Sequence, residues 1–551
     1  MVNDFLEANL EGRLGVVVGG SLTKGVEVKL DGDASVEDVA VGRYVTIQGE
    51  RRRFFGMITD VTLGAIDPRI TLNPPDISDP LIAQVLSGTS IYGTLHILPT
   101  LTIGLEGLQP VKTVPTHFSV VTEASNRDME IVFGKEDERH FYVGNPLDME
   151  AKVCLNLEEF VKRSNGVFGK SGTGKTFLTR LLLIGMVQKR SAVSLIFDMH
   201  SEYGWEGGSE GGYKVKGLKQ LFPSKVAVFA LDEESAKRRQ VSTDFVVQIG
   251  YDDIEPADVE MLAQTLNLTE AATQAPYKLA RHFGPKKWLE AFLSMESREG
   301  IGELADNLGE HEATLGALQR RLERLKRLRF LVPHAPTDPV GRLLEYLDRG
   351  VNVVLEFGRY GDDITAYVLV ANLLSRRLHR KYVERTEQAL GEGKPQPHPL
   401  VIVIEEAHKF LNPAVANQTI FGAIAREMRK YNVTLLVIDQ RPSGIDEEVM
   451  SQIGTKITCL LENEKDIGAV LAGVSGSSEL RSVLAKLESK QQALIFGHAV
   501  PMPVVVRTRE YGSAESYKEL TSREAVEPSS RAQVEGLKKG ADPDSDDLWG
   551  E

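Results

Sequence analysis

The segment GKSGTGKT, from Gly169 to Thr176, follows the short apolar stretch NGVF and precedes FLTRLLLIGMVQK, which has the composition of a helix. Its glycines allow a tight turn that points successive backbone N–H groups at phosphate oxygens, and a helix that begins there adds its partial positive charge. The motif needs a strand before it and a helix after it. The chain must therefore contain an α/β unit built around a phosphate-binding loop.

Apolar runs continue through this part of the chain and alternate with helical stretches. The runs are SAVSLIFD, KVAVFAL, VNVVLEF, LVIVIEE, VTLLVID, KITCLL and QQALIFG. Continuous Val- and Ile-rich runs separated by helices are typical of a parallel sheet that is covered on both faces. We expect an α/β fold, a RecA-like P-loop NTPase domain with a mostly parallel central sheet.

The pattern changes along the chain and predicts further units. Short alternating segments separated by glycine or charged turns predict a small β-barrel over residues 1–109. Residues 110–251 are expected to form a connector and the first part of the ATPase domain, and 336–520 its second part. Between them, residues 252–335 predict a helical insertion without strands, and the polar, acidic residues 521–551 predict a disordered tail.

The composition of the chain narrows the cellular compartment and the kinds of partner that we expect. The first residues carry acids where a secretory signal would carry basic residues, and no apolar run is long enough to cross a bilayer, so we expect a cytoplasmic protein without a membrane partner. Cys154 and Cys459 lack metal-ligand spacing, which argues against a zinc site and against disulfides. Because the formal net charge is -14, any contact with nucleic acid must be local, as in a basic channel of an acidic ring.

The phosphate loop predicts ATP and Mg²⁺ as ligands. Lys175 is expected to bridge the β- and γ-phosphates, and the hydroxyl of Thr176 to complete the magnesium shell. The full set assigned to nucleotide binding is Gly169, Lys170, Ser171, Gly172, Thr173, Gly174, Lys175, Thr176 and Phe177.

Two acids at the end of LVIVIEE are the candidates for hydrolysis. A buried strand that ends in acids is where an ATPase places its magnesium-side carboxylate and the carboxylate that activates water. We assign Glu405 to the magnesium shell and Glu406 to the attacking water; the alternative is that both are the solvated start of a helix. Gln440, at the tip of the strand VTLLVID, is the candidate sensor of the γ-phosphate, unless it is an ordinary loop residue.

Taken together, these motifs resemble the HerA family of hexameric DNA translocases, in the wider group that also holds the FtsK motors. The resemblance rests on FFGMITDVT, LNLEEFVKRSNGVFGKSGTGKT, FDMHSEYG, VIVIEEAHKFL, IAREMRKYNVTLLVIDQRPSGID and QQALIFGHAVPMPVVVRTR, and it covers most of the chain. It implies an N-terminal barrel of the HAS type, a homo-hexamer with ATP sites at subunit interfaces, and double-stranded DNA in the central channel.

The resemblance also implies roles for residues outside the loop. Glu406 corresponds to the catalytic acid and Gln440 to the sensor. Arg163, Arg426 and Arg429 are candidates for a finger that reaches a neighbouring subunit's ATP, or alternatively surface arginines paired with nearby acids. The chain departs from the family pattern where Glu405 replaces the usual Asp and Ser164 replaces a usual His.

Two further clusters have candidate roles. The residues Asp198, His200 and Glu202 could suggest a metal site, but the resemblance implies that they line the nucleotide site or set up the following loop. The lysines after a glycine-rich turn, Lys214, Lys216 and Lys219, are candidates for contact with DNA phosphates, with a solvated surface loop as the alternative. The basic run from Arg320 to Arg329 also carries leucines and is expected to be a helix that packs one face.

These observations favour an ATP-driven DNA translocase that acts with a NurA-like nuclease or another effector, in DNA end processing or antiphage defence. No nuclease motif was found on the chain itself. Two alternatives stay open: a protein-translocating ATPase of the secretion kind, and a ring-shaped ATPase scaffold that activates a bound effector without processive translocation.

Overall fold

The computed structural model describes residues 12–521, with gaps at 33, 77, 79–85, 87–89, 105–106, 148, 209–213, 296, 394, 475–476, 486 and 489. The predicted acidic tail lies outside the described residues, except for residue 521, which ends the final described helix.

The N-terminal part is a closed β-barrel. Its strands are β1 (Arg13–Ser21), β2 (Gly25–Leu30), β3 (Tyr44–Gln48), β4 (Arg53–Ala65), β5 (Ile91–Gly104), β6 (Gly107–Pro110) and β7 (Val120–Glu123). They are ordered β2-β1-β7-β3-β4-β5-β6, and a further pairing of β2 with β5 closes the sheet and leaves β6 outside the ring. Alternate side chains such as Val28, Val45 and Ile58 fill the interior. The predicted small β-barrel is confirmed.

The barrel ends later in the chain than the predicted boundary at residue 109. Strand β7 pairs with both β1 and β3, and it places Val121 opposite Ile47. Because β7 is only four residues long and lies after a loop, its alternation is too short to indicate the sheet to which it belongs. The barrel sheet therefore runs to Glu123, and this part of the expected connector belongs to it.

The remaining described strands belong to the ATPase domain. They are β8 (His140–Pro146), β9 (Val153–Asn156), β10 (Asn165–Phe168), β11 (Val193–Asp198), β12 (Gly207–Gly208), β13 (Lys214–Val215), β14 (Val226–Ala230), β15 (Phe245–Val246), β16 (Ile249–Gly250), β17 (Leu331–Val332), β18 (Asn352–Glu356), β19 (Leu400–Glu405), β20 (Val433–Asp439), β21 (Thr455–Thr458), β22 (Gln492–Gly497) and β23 (Val504–Thr508).

Twelve of these strands form the central sheet, in the order β15-β14-β18-β11-β19-β20-β10-β21-β22-β23-β8-β9. The strands from β15 to β21 run parallel, and those from β22 to β9 are antiparallel. The parallel strands are almost entirely buried, as their continuous apolar sequences require. The predicted α/β fold with a mostly parallel sheet is confirmed.

One short helix, α1, lies in the barrel, and the other helices cover the central sheet or form an insertion. They are α1 (Pro68–Leu72), α2 (Asn126–Phe133), α3 (Leu157–Val161), α4 (Lys175–Lys189), α5 (Leu218–Leu221), α6 (Glu233–Arg238), α7 (Pro256–Met261), α8 (Ala263–Leu266), α9 (Glu270–Phe283), α10 (Trp288–Leu293), α11 (Arg298–Leu308), α12 (Glu312–Leu322), α13 (Pro339–Asp348), α14 (Ile364–Glu392), α15 (His408–Leu411), α16 (Ile420–Glu427), α17 (Glu447–Gln452), α18 (Glu464–Leu471), α19 (Ser477–Leu484) and α20 (Ala514–Thr521). Each helix in the described ranges is too short or too polar to cross a lipid bilayer.

The insertion consists of α7 to α12 and packs on the long helix α14. Arg376 of α14 donates to the buried carboxylate of Asp258 over 2.7 Å, and Arg377 donates to Asp253 over 2.7 Å. The basic run after Arg320 buries Leu322 and follows the expected helical pattern. One short strand, β17, lies within the range that was expected to lack strands, and it pairs with β16 to close the insertion.

A barrel residue joins the two units. The hydroxyl of Tyr44, on β3, donates to the carbonyl of Pro503 over 3.2 Å and accepts from the backbone N–H of Val505, also over 3.2 Å. Tyr44 is buried, and its ring also packs on Phe55 and Phe133. The barrel is thus attached to the beginning of β23, at the antiparallel side of the central sheet.

Candidate active site

The phosphate loop connects β10 to α4 and depends on its glycines. Gly172 and Gly174 have φ values of 83° and 91°, in the left-handed region, and Gly174 is the N-cap of α4. At Gly169 an added Cβ would come within 2.8 Å of the Cβ of Cys459. The loop conformation therefore excludes larger side chains at these positions, as a cradle of backbone N–H groups requires.

The side chain of Lys175 lies over the loop. Its Nζ donates to the carbonyl of Lys170 over 2.8 Å. Burial lowers the pKa of Lys175, while the nearby carboxylates of Glu406 and Glu405 are among the charges that oppose this shift. The ammonium group is therefore positioned between the loop and the acidic strand ends.

The other loop side chains have separate roles. Nζ of Lys170 pairs with Glu462 over 2.8 Å, and Oγ1 of Thr173 donates to the carbonyl of Lys170 over 2.7 Å. Ser171 is exposed, whereas Thr176 and Phe177 are partly buried in the first turn of α4. The side chain of Lys170 is thus paired on the surface, away from Lys175 and Thr173, which both donate to the carbonyl of Lys170.

The sheet brings the two acids to the same edge as this loop. Strand β20 lies between β19 and β10, and all three run parallel. The register places Glu405 beside Ile438 and Asp439 beside Phe168, the last residue before the loop. The N–H of Gly169 also donates to the carbonyl of Asp439 over 3.3 Å. The carboxyl ends of these strands therefore meet at one edge.

Two tyrosines fix Glu405. The hydroxyl of Tyr203 donates to Oε1 of Glu405 over 2.8 Å. The hydroxyl of Tyr367 donates to the backbone carbonyl of Glu405 over 2.9 Å and accepts from its N–H over 3.0 Å. Neither tyrosine was predicted. Tyr203 lies in the polar segment FDMHSEYG, where the acids and the histidine were the candidates, and Tyr367 adjoins an apolar run that indicates packing.

The carboxylate of Glu405 is poised for a cation. Its Oε2 is buried and has no hydrogen-bond partner among the described residues. Burial, and then the charge of nearby Asp198, raise the pKa of Glu405 to about 8. A carboxylate oxygen and the hydroxyl of Thr176 are the hard oxygen ligands that Mg²⁺ prefers, so this donor set fits a magnesium ion.

Glu406 has an unusual backbone and a specific partner. Its φ of 50° lies in the left-handed region, which a non-glycine residue seldom adopts. Nε2 of Gln440 donates to Oε1 of Glu406 over 3.1 Å. The structure therefore brings these two predicted residues together at the ends of adjacent strands.

Buried Asp439 and its partner His408 lie next to Glu406. The carboxylate of Asp439 accepts from the N–H of His408 over 2.6 Å, from Nδ1 of His408 over 3.0 Å, and from the N–H of Arg441 over 2.7 Å. The hydrogen bond to Asp439 raises the pKa of His408. His408 also lies 3.6 Å from Oε2 of Glu406. Asp439 was not among the predicted site residues, although its position as the acid at the end of an apolar strand is the same signal that identifies Glu405.

Ligand atoms of Glu406, His408 and Asp439 lie within 4.8 Å of one another, close enough to share a metal ion. The hydrogen bonds of Asp439 already use Nδ1 of His408, so the cluster is explained without an ion. Glu406 also lines a cavity of 390 Å³, together with Met199, His200, Gly361, Asp362, His408, Lys409, Gln440 and Arg441. This cavity offers space for water and a terminal phosphate beside the carboxylate.

The cluster at the end of β11 organises a loop. The buried carboxylate of Asp198 accepts from the backbone N–H groups of Glu202 and Tyr203, each over 2.8 Å. Since these bonds position Tyr203, Asp198 acts on Glu405 through that tyrosine. His200 lines the cavity beside Glu406. The geometry agrees with the expectation that these residues set up the loop and line the site.

Of the candidate arginines, Arg163 lies toward the opposite edge of the sheet. Arg163 precedes β10 and lines a cavity with Pro399 and Asn432, which precede β19 and β20. Arg426, near the end of α16, has a buried Nη1 without a hydrogen-bond partner among the described residues. The side chain of Arg429 lies outside the described residues. Arg163 therefore lies away from the phosphate loop of its own subunit, whereas the Nη2 atom of Arg426 lies near Gly422 in the first turn of α16.

The three candidate lysines differ in their surroundings. Nζ of Lys219 donates to the carbonyls of Pro223 and Val226, pairs with Asp244 over 3.0 Å, and is largely buried. Its assignment to DNA contact is therefore corrected to a structural role. Lys214 is exposed and 3.5 Å from a carboxylate, and Lys216 lies over the ring of Tyr517.

Comparisons with known proteins agree with this architecture. A profile described as the central domain of helicase HerA matches residues 141–378, and a profile described as the HAS barrel domain matches residues 14–107. The chain is 24% identical over 499 residues to "DNA double-strand break repair helicase HerA" of Saccharolobus solfataricus, covering 90% of this chain and 91% of that protein. It is 23% identical over 504 residues to the protein of the same description from Sulfurisphaera tokodaii, covering 90% and 93%.

Among solved structures, VirB4 of Thermoanaerobacter pseudethanolicus is similar with a TM-score of 0.46 and 14% identity, over 70% of this chain and 100% of that one. The two family profiles together match more than half of the chain, and they correspond to the barrel and to the part of the central sheet that carries the phosphate loop. The full-length relatives extend the match across the acidic strand ends. The chain therefore belongs to the HerA family of P-loop ATPases.

Proposed function

We propose that this chain is an ATP-driven motor that translocates double-stranded DNA through a ring of identical subunits. The observation that carries the proposal is the convergence of the phosphate loop with Glu405 and Glu406 at one edge of the central sheet. The names of the relatives, which are DNA repair helicases, supply the class of polymer.

The residues at this edge suit hydrolysis of a phosphoanhydride. Backbone N–H groups of the loop and the ammonium of Lys175 hold the phosphates and balance charge that develops on them. Glu406 accepts a proton from water as the water oxygen attacks the γ-phosphorus and the bond to the β-γ bridging oxygen breaks. Gln440 holds the carboxylate of Glu406 in place for that step.

A magnesium ion fits the donor set of Thr176 and Glu405. When bound, Mg²⁺ would neutralise charge on the β- and γ-phosphates. Tyr203 and Tyr367 keep the carboxylate of Glu405 in position from both its side chain and its backbone. Burial raises the pKa of Glu405 to about 8, so a bound cation is expected to lower this pKa again and to make binding depend on pH.

A ring of identical subunits would give the candidate arginines a role in catalysis. Arg163 lies toward the sheet edge opposite its own phosphate loop, so in a head-to-tail ring it would act on a neighbour's site, and Arg426 is the second candidate for that role. A guanidinium supplied in trans stabilises charge in the transition state and couples hydrolysis to the geometry of the ring. We expect a homo-hexamer.

The net charge and the barrel each suggest one partner, DNA in the first case and an effector protein in the second. With a net charge of -14, the outer surface repels DNA, so basic groups such as Lys214 and Lys216 must act locally, in the channel. The barrel, on the antiparallel side of the sheet, is the proposed docking site for a NurA-like nuclease or another effector. We propose that the motor and its effector act in DNA end processing or antiphage defence.

ATP hydrolysis with and without double-stranded DNA tests this function. The rate should rise by about tenfold or more with linear duplexes and should fall again at high salt, since phosphate contacts are screened. Displacement of a third strand from duplex DNA then reports movement. A rate that no length of DNA changes would exclude the motor and favour a scaffold that activates its effector. Mass measurement of the assembly, alone and with the product of a neighbouring gene, tests the hexamer and the effector.

A further inference from the structure

The helical insertion ends in a segment whose charge is opposite to that of the whole chain. Residues 320–329 contain six basic residues and one acidic residue, whereas the chain has a formal net charge of -14. They begin in the last turn of α12 and continue through the 3-10 turn Glu323–Arg327. The segment lies outside the residues assigned above to the nucleotide site and to DNA contact.

Packing holds this segment in place and leaves its basic side in solvent. The side chain of Gln319 donates to the carbonyls of Phe292 and Met295 over 3.0 and 2.7 Å. At the other end, the backbone N–H of Arg329 donates to the hydroxyl of Tyr360 over 3.1 Å. The apolar side is buried in the insertion and consists of Leu315, Leu318, Leu322, Leu325 and Leu328. The backbone that carries the basic side chains is therefore fixed at both ends.

Three exposed guanidinium groups, those of Arg320, Arg324 and Arg327, form what we call the basic strip. Within the part of the chain that the structure describes, none of the three has an acidic partner. The one acid of the segment, Glu323, lies 3.7 Å from Lys326 instead. Like charges four residues apart on a helix repel each other, which lowers the stability of the free subunit. A bound polyanion would remove this repulsion.

We infer that the basic strip binds the phosphate backbone of duplex DNA, at a second contact besides the channel lysines; this inference rests on the proposed function. The planar fork of a guanidinium matches the oxygens of a phosphate. Along a helix axis, the distance from Arg320 to Arg327 is about 10 to 14 Å. The major groove of DNA is roughly 12 Å wide, so the strip can reach the phosphates that border a groove.

The surroundings of the strip favour a duplex over a single strand. Proteins that hold single-stranded nucleic acid stack its bases on aromatic side chains. The aromatic residue that is closest in sequence to the strip, Phe330, is buried and its ring is covered by Tyr360, with 5.0 Å between the ring centroids. The strip therefore offers contacts for phosphates and none of its own for unpaired bases.

Binding of a short labelled DNA duplex, followed by fluorescence anisotropy at several salt concentrations, tests this inference on the full chain. The charges of the strip are removed together, with helix-compatible side chains in their place, by Arg320→Gln, Arg324→Gln and Arg327→Gln. A matched control removes the same charge from exposed positions on the barrel, α6 and α14, by Arg69→Gln, Lys237→Gln and Lys381→Gln.

The triple strip variant should bind the duplex about tenfold or more weakly, and its affinity should depend less steeply on salt, by about 2 or more in the log–log slope. The single change Arg324→Gln should lower that slope by about 1, which keeps the test valid if the triple variant fails to fold. The control should bind as wild type. Without DNA, all variants should hydrolyse ATP at the wild-type rate, because the strip is no part of the nucleotide site.

Duplex binding by the folded strip variants that equals that of wild type would overturn the inference and would leave an acidic protein as the partner of this surface. A loss that is confined to single-stranded DNA would overturn the assignment to duplex. The proposed motor fails on a different measurement, namely a wild-type hydrolysis rate that DNA does not change.

Discussion

Nε2 of Gln440 lies 3.1 Å from Oε1 of Glu406 and joins the ends of two adjacent parallel strands. Glu406 has a left-handed φ of 50°, so its carboxylate is presented from a backbone position that costs energy to maintain. The hydrogen bond makes the orientation of Glu406 depend on Gln440. Whatever Gln440 contacts can therefore alter the position of the carboxylate that acts on water.

Replacing Gln440 by Ala should reduce turnover more than binding. The carboxylate of Glu406 would lose its orienting donor, and kcat for ATP hydrolysis should fall by about 10- to 100-fold, as expected for a misplaced general base. The dissociation constant for ATP should stay within about threefold, because Gln440 lies outside the loop. Steady-state kinetics and nucleotide binding measure the two effects. Gln452→Ala, on the exposed face of α17, is the control.

Glu406→Gln preserves shape and removes the base. Hydrolysis should fall by about 100-fold or more, while ATP stays bound, so the variant should trap the nucleotide. Single-turnover measurements with labelled ATP separate chemistry from release. Glu447→Gln, exposed in the first turn of α17, should behave as wild type. Equal turnover in Glu406→Gln and wild type would remove Glu406 from the role of base.

Lys175→Ala should abolish nucleotide binding. The substitution removes the ammonium that neutralises phosphate charge and that closes the loop through the carbonyl of Lys170. A loss of about 100-fold or more in ATP affinity is expected for a partly buried charge contact of this kind. Lys237→Ala, exposed on α6, is the control. Retained affinity would show that phosphates bind elsewhere.

Mixed rings test the trans arginines. Arg426→Ala and Glu406→Gln should each be inactive alone, whereas randomly mixed rings should recover about a quarter of the wild-type rate, because head-to-tail interfaces then include pairs of intact halves. The same mixture with Arg163→Ala identifies which arginine acts. ATPase rates after subunit exchange provide the measurement. Mixtures without any recovery would place the arginine in the same subunit as Glu406, or outside catalysis.

His408 predicts a pH dependence of stability. The hydrogen bond to Asp439 raises the pKa of His408 above its usual 6.5, so its stabilising contribution is fully present below pH 6.5 and declines as pH rises through the raised value. A charge-assisted hydrogen bond contributes about 1.5 to 3 kcal/mol, so His408→Gln should lower the thermal midpoint by roughly 3 to 10 °C at pH 6. The difference from wild type should be smaller at pH 9. His311→Gln, at an exposed position, should show no such trend.

The sequence alone predicted those parts of the site that are formed by one continuous segment. The conformation of the loop from Gly169 to Thr176 follows from its own glycines. The apolar run before Glu405 and Glu406 predicts a buried strand that ends in these two acids. The parallel sheet follows from such runs in the same way. Alternating segments likewise predicted the barrel, which the structure and the matching profile confirm.

Other features depend on contacts between distant segments, and no local pattern encodes them. Tyr203 and Tyr367 lie 202 and 38 residues from Glu405 in sequence, and nothing in the segments around them indicates a shared partner. Strand β7 returns to the barrel after a loop. Lys219 follows a glycine-rich turn, as an exposed lysine would, yet it packs its ammonium against two carbonyls and Asp244.

Strand β23 has a mechanical consequence for the whole subunit. At its beginning, the hydroxyl of Tyr44 holds the main chain at Pro503 and Val505, and its end lines a 620 Å³ cavity beside the loop. A paired strand is stiff along its length. A displacement of the end of β23 would therefore either break both of these hydrogen bonds or move the barrel with it. Anything bound to the barrel would then move when the nucleotide site changes its conformation.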